Sequence, residues 1–144
     1  MAGQFTMIGA TYALDHVIND PAGTAVRYLA LGTALPADAT SPADNDYQAL
    51  EIITAGYSRQ SVSWGAVTAT GGTVPTVIAN DAQIVFGPFT ADPPEVGYCW
   101  LSAKENHVDS EQNIMAVWTV ATARDASTGD SLLIDVGALT LSIY

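Results

Sequence analysis

From Ala25 onward the chain is a succession of short apolar runs, each broken by turn residues, and that rhythm restricts it to an antiparallel β fold. "AVRYLALGT" (Ala25 to Thr33) is the first such run, and "YSRQSVSW" and "QIVFGPFT" follow it. "VGYCWLSA" and "IMAVWTVA" are close to continuously apolar, as expected of strands covered on both faces. "SLLIDVGALTLSIY" closes the chain as two short strands around Gly137. "QALEIIT" is a further short apolar segment. "ALPADATSPADND" and "KENHVDSEQN" read as polar loops, and "ATGGTVPTVIANDA" as a Gly-Gly turn and a loop. Gly, Pro, Asn and Asp between the runs supply turn geometry rather than an interdomain linker. The pattern predicts an all-β protein, an antiparallel β-sandwich of jelly-roll type.

One segment departs from it. Ile8, Tyr12 and Asp15, and likewise Leu14, Val17 and Ile18, recur at helical spacing, and "NDPAG" stops the run. A short N-terminal helix over Met7–Asn19 is therefore expected. Alone it is marginal, so it must dock on something. The predicted organisation is an N-terminal arm over 1–23 and one β-sandwich domain over 24–144, which suits a chain of 144 residues.

Charge narrows the function. Fifteen acidic residues face four basic ones, for a net charge of -11. Phosphate binding needs clustered Lys and Arg, so neither nucleic acid nor an anionic membrane surface is an expected partner. No apolar run is long enough to span a bilayer. The first twenty residues have no basic segment and include Asp15 and His16, so no signal peptide is expected. Cys99 is the lone cysteine and sits in an apolar run, where a buried, inert thiol is the expectation.

Catalytic or metal chemistry finds little support. His16 and His107 have no nucleophile beside them in any recognisable order. "DNDYQALE" gathers Asp44, Asn45, Asp46 and Glu51, but it misses the calcium-loop spacing and reads as a solvated acidic loop, as does "HVDSE". No cofactor is expected. Trp64, Trp100 and Trp118 lie among apolar neighbours and read as core; an exposed row of them would instead suit a carbohydrate-binding module.

Arg59 is the unusual residue, because it places one of four cations inside a strand-like stretch, "GYSRQSVSW". Strict alternation puts Tyr57, Arg59, Ser61 and Ser63 on one face and Val62 and Trp64 on the other. The second face is the better core candidate, which leaves Arg59 on the outer face beside Tyr57. There it could pair with Glu51, because a guanidinium is planar, forked and always charged. Glu51, Tyr57 and Arg59 are thus the candidate cluster, either a clamp within the chain or a contact to a neighbouring subunit.

The ordered set of a short N-terminal helix, "YLALGTALP", Glu51 then "GYSRQSVSW", "IVFGPFT", a tryptophan-containing strand and "GDSLLIDVGALTLSI" resembles small virion proteins of tailed bacteriophages. These are of the tail-fibre-like, minor tail or minor capsid type. The charged stretch "LSAKENHVDSEQN" departs from the more compact turn expected in similar proteins. The resemblance implies a non-enzymatic structural protein, made in the host cytoplasm and located in the virion, on the capsid surface or the tail. Its implied partners are the major capsid protein or tail proteins of the same virion, with homo-oligomers expected and a trimer on a capsid three-fold attractive. A head decoration bound to the outer face of the shell and stabilising it is the leading expectation. A minor tail, tail-tip or tail-fibre component contacting the host surface is the alternative, and a carbohydrate-binding module is the alternative from another class.

Overall fold

A computed structural model describes Ile18 and residues 26–36, 44–69, 76–108 and 114–143. The expected N-terminal helix lies outside them except for Ile18, which is buried. The described residues are all-β with antiparallel pairing throughout the registered ladders. The elements run β1 (Tyr28–Gly32), α1 (Asp44–Leu50), β2 (Gln60–Ser61), β3 (Thr68–Ala69), β4 (Thr76–Ala79), β5 (Ile84–Phe86), β6 (Val96–Ser102), β7 (Ile114–Arg124), β8 (Leu132–Ile134) and β9 (Thr140–Ile143).

Two compact units share the chain, one built from Arg27–Ser61 and Ile84–Leu133, the other from Met1–Val26, Val62–Gln83 and Ile134–Tyr144. The first carries a four-stranded sheet in the order β2-β1-β6-β7. Its centre is apolar on both faces: four of the five β1 residues are buried, as are the last four of β6. Ala30 stands opposite Trp100, and Trp100 opposite Val117, so one row crosses three strands. Tyr47 of α1 closes over that row, edge-on to Trp100 with ring centroids 5.3 Å apart, and Leu35, Leu50 and Ile114 pack around them. Burying a large side chain of this kind contributes about 1.5–3 kcal/mol. Gly32 is required here, since a Cβ would collide with the Trp100 ring.

Three sequence expectations are corrected. "DNDYQAL" is a helical turn pair rather than an acidic loop and apolar strand; its first residues are Asp, Asn and Asp, which favour a helix N-terminus, and Tyr47 and Leu50 fall three apart on one face. "TVIA" is strand β4, where a loop was expected. β7 is longer than "IMAVWTVA" and is not buried: it is half-buried to Trp118 and mostly exposed beyond. Among the described residues it stands at the sheet margin, and apolar periodicity alone does not distinguish an edge from a centre.

In the second unit β3, β4 and β9 form a three-stranded sheet. Its organising residue is Asn80, only 1% exposed. The Asn80 amide donates to the carbonyls of Ala82 and Asp135, both at 2.9 Å, and its side-chain oxygen accepts the Leu139 N–H at 2.9 Å. Asn80 therefore joins the end of β4 to the turn before β9. Asn80→Ala would leave these backbone groups without partners inside the protein, at about 1–3 kcal/mol for a buried orphan. Loss of stability in that range is expected in urea unfolding; an unchanged midpoint would refute the role.

Candidate functional site: a buried Glu51–Arg59–Tyr57 cluster

Local backbone geometry sets up the cluster. Glu51 follows directly on α1 and bridges Gly32 of β1. The Ile52 N–H donates to Leu31 O at 3.0 Å and the Thr33 N–H to Leu50 O at 3.1 Å, so this segment is zipped to the end of β1. A turn then reverses the chain at Gly56, whose φ is 88°. Only glycine holds that angle without strain, and a Cβ there would lie 2.6 Å from Pro88 O. Tyr57 and Arg59 follow before β2 begins.

Because residues 57–59 precede the strand, side-chain alternation does not govern them. Arg59 is buried, not on an outer face, and its side chain is 1% exposed against 0% for Glu51. The guanidinium grips the carboxylate with both prongs: Nε donates to Oε1 at 2.8 Å and Nη2 to Oε2 at 2.5 Å. Nη1 donates to Ser102 Oγ at 3.1 Å and to Lys104 O at 2.9 Å. Four of the five guanidinium N–H groups are thereby used. The Tyr57 hydroxyl donates to Glu51 Oε1 at 2.8 Å and accepts the Leu31 N–H at 3.1 Å. The Tyr57 ring stacks on Phe86 at 6.0 Å with planes 8° apart.

The structure thus brings Glu51, Tyr57 and Arg59 into direct contact. It adds Ser102 and the Lys104 carbonyl, which sequence reasoning missed. Ser102 lies within an apolar strand, and a buried serine there is a signal for a buried polar partner. A cavity of about 430 Å³ borders the cluster, lined by Ile53, Ser58, Glu105, Asn106 and His107 as well as the triad. Its floor is chemically saturated, because both Glu51 oxygens accept from Arg59 and four of the five Arg59 donors are used within the chain. Among the described residues, no group of three or more His, Cys, Asp and Glu side chains could hold a metal ion. His16 lies outside the described residues. Trp100 is 0% and Trp64 7% exposed, so these two form no aromatic platform; Trp118 is half-buried.

Burial, then the Glu51 charge, raises the Tyr57 hydroxyl pKa well above the usual tyrosine value. Burial pushes the Cys99 thiol up to about 12. Both groups favour the protonated form in the folded state. Their contribution is complete below the ordinary values of about 8.5 for Cys and about 10 for Tyr, and is lost as pH rises through and beyond them. Stability measured by urea unfolding should therefore fall from about pH 9 upward, and Cys99→Ala should remove the lower-pH part of that fall. An alkaline limb identical in both proteins would contradict the assignment. The ion pair gives a second test. Arg59→Met strands a buried carboxylate and should cost about 3–5 kcal/mol, whereas Glu51→Met/Arg59→Met should recover part of it. Additive single effects in thermal melts would show that the pair is not coupled.

Compared with known proteins, the chain finds no match among curated proteins. A family model described as podophage GP4 fiber I protein gp80 matches residues 4–142. That span is nearly the whole sequence, both units included, and the chain belongs to this family of phage fibre proteins.

Proposed function

We propose that the protein is a structural component of a podophage tail fibre, working through contacts with other virion proteins. The observation that carries this reading is the fibre family match over residues 4–142. Of the two positions expected from the sequence, it favours the tail over the head-decoration role. The geometry is compatible: the polar cluster is satisfied internally and two of the three tryptophans are buried. The family match supports a structural rather than catalytic role, with other virion components as partners. Glu51, Tyr57 and Arg59 act in this reading as an internal clamp rather than a subunit contact, and residues 1–23 as an arm ahead of the β portion over 24–144. Immunogold labelling of the protein on purified particles tests the placement. Label confined to the tail is expected; label distributed over the shell would overturn the fibre reading in favour of capsid decoration.

A further inference from the structure

β6 and β7 fall out of step at one end of their ladder. Val96 stands opposite Arg124 and Tyr98 opposite Thr119. Between those pairs β7 spends Val120, Ala121, Thr122 and Ala123, while β6 spends only Gly97. A bulge bends its strand and re-aims side chains, and bulges are common beside functional sites. A cavity of about 500 Å³ lies here, lined entirely by residues of the larger unit. Gly97 lines it without a side chain, and the Thr33 carbonyl oxygen comes within 3.5 Å of where a Cβ would stand.

The chemistry of the lining is one-sided. Among the described residues Glu95 is its one charged member, and none is basic. Glu51, Asp92 and Asp130 accept from donors within the chain. Glu95 is exposed and has no hydrogen-bond or ion-pair partner among the described residues. Thr33 Oγ donates to Leu50 O at 3.4 Å, which leaves its lone pairs to accept. Pro94, Val120 and Ala123 add apolar wall. Arg124 does not neutralise the site: it stands opposite Val96, and alternation sends it to the other face from Gly97.

We infer that this cavity receives a lysine side chain of a partner protein, its ammonium held by Glu95 and Thr33 and its methylene stem lying on Val120 and Ala123. Acceptors without a basic neighbour, in a chain of net charge -11, select a cation. An ammonium carries three donors on a flexible apolar stem, so it reaches acceptors that share no plane; the rigid guanidinium fork suits a single carboxylate and leaves Thr33 unused. Other copies of the chain carry the same -11, so the lysine belongs to a different protein. The inference rests on the reading that the protein works through contacts with other virion components. Its test measures binding in solution, so failure there leaves the placement on the particle untouched.

NMR titration of the full chain at neutral pH and constant ionic strength tests it, with Nα-acetyl-lysine methylamide as the probe. Saturable shifts are expected at the amides of Thr33, Gly97 and Val120. n-Butanol, which keeps the stem and loses the charge, should bind far more weakly, and butyrate should not bind. Glu95→Gln, at an exposed position, should weaken the lysine probe about tenfold, the effect of losing one charge-assisted hydrogen bond. Gly97→Val should fill the cavity and abolish binding with the melting temperature unchanged. Should that variant not fold, the wild-type shift map and Glu95→Gln decide. Four results would overturn the inference: no saturable shift at these amides, shifts centred on the cavity beside Glu51, n-butanol binding as tightly as the probe, or unchanged binding in Glu95→Gln. Binding of n-butylammonium without binding of the lysine probe would make this a site for small free amines, and that too overturns it.

Discussion

A guanidinium and a carboxylate, both removed from water, hold the larger unit in register. The need is specific. β1 and the end of β6 are buried on both faces, so their apolar side chains do not say which residue belongs opposite which. Where one face is wet, a one-residue slip exposes the core and is strongly disfavoured; where both are covered, that penalty weakens. A directional polar contact removes the degeneracy. Glu51 is set by the bridge to Gly32, and Arg59 reaches from Glu51 to Ser102 and the Lys104 carbonyl, 43 and 45 residues away in sequence. A slip of β1 against β6 would separate these partners and leave charge buried alone, which is far costlier than a lost apolar contact. The pair thus specifies arrangement more than it adds stability. The smaller unit meets the same need with a neutral group, since Asn80 ties β4 to the chain near β9 through backbone partners on both sides.

Burying Arg59 also shapes the surface. It removes one of four cations and one acid together, leaving the exterior with three basic residues and a large excess of carboxylates. Such an exterior keeps like molecules apart at the high local concentration of an assembling particle. Contacts must then form where carboxylates are missing. β7 is one such place, and the exposed Ile53 and Val108, at 69% and 61%, are others within the same unit. The polar interior and the uncharged strip on the outside are consequences of one charge distribution.

The sequence was legible where local chemistry decides. β1, β6 and the β8–Gly137–β9 ending fall where apolar runs and turn residues put them. The pairing of Glu51 with Arg59 was readable because a cation in a cation-poor chain needs a partner and an acid stood nearby. The face it occupies was not, because alternation assumes a strand, and the strand begins only at Gln60. Helix α1 was hidden for a related reason: seven residues offer too little periodicity, and Tyr47 and Leu50 fit either a helix or an apolar strand. Asn80 was invisible as a hub, since its importance comes from backbone groups of distant segments. The exposure of β7 was hidden as well, because strand order depends on the whole fold and not on the strand itself.

These features bear on how a protein of this family can work. A ligand site needs unsatisfied groups held in place, with donors or acceptors left over for the ligand. Beside the cavity at the cluster, Glu51 accepts from Arg59 and Tyr57, and Arg59 has given four of its five donors to the protein. The rest of the cavity lining is the rim, Ser58, Glu105, Asn106 and His107, carried on exposed or half-exposed chain. Recognition of another macromolecule has different requirements: a rigid body and an uncharged contact strip. The fixed register supplies the first and the uncharged run of β7 the second. A fibre component, which must transmit geometry from one molecule to the next, depends on that rigidity more than on any single reactive side chain.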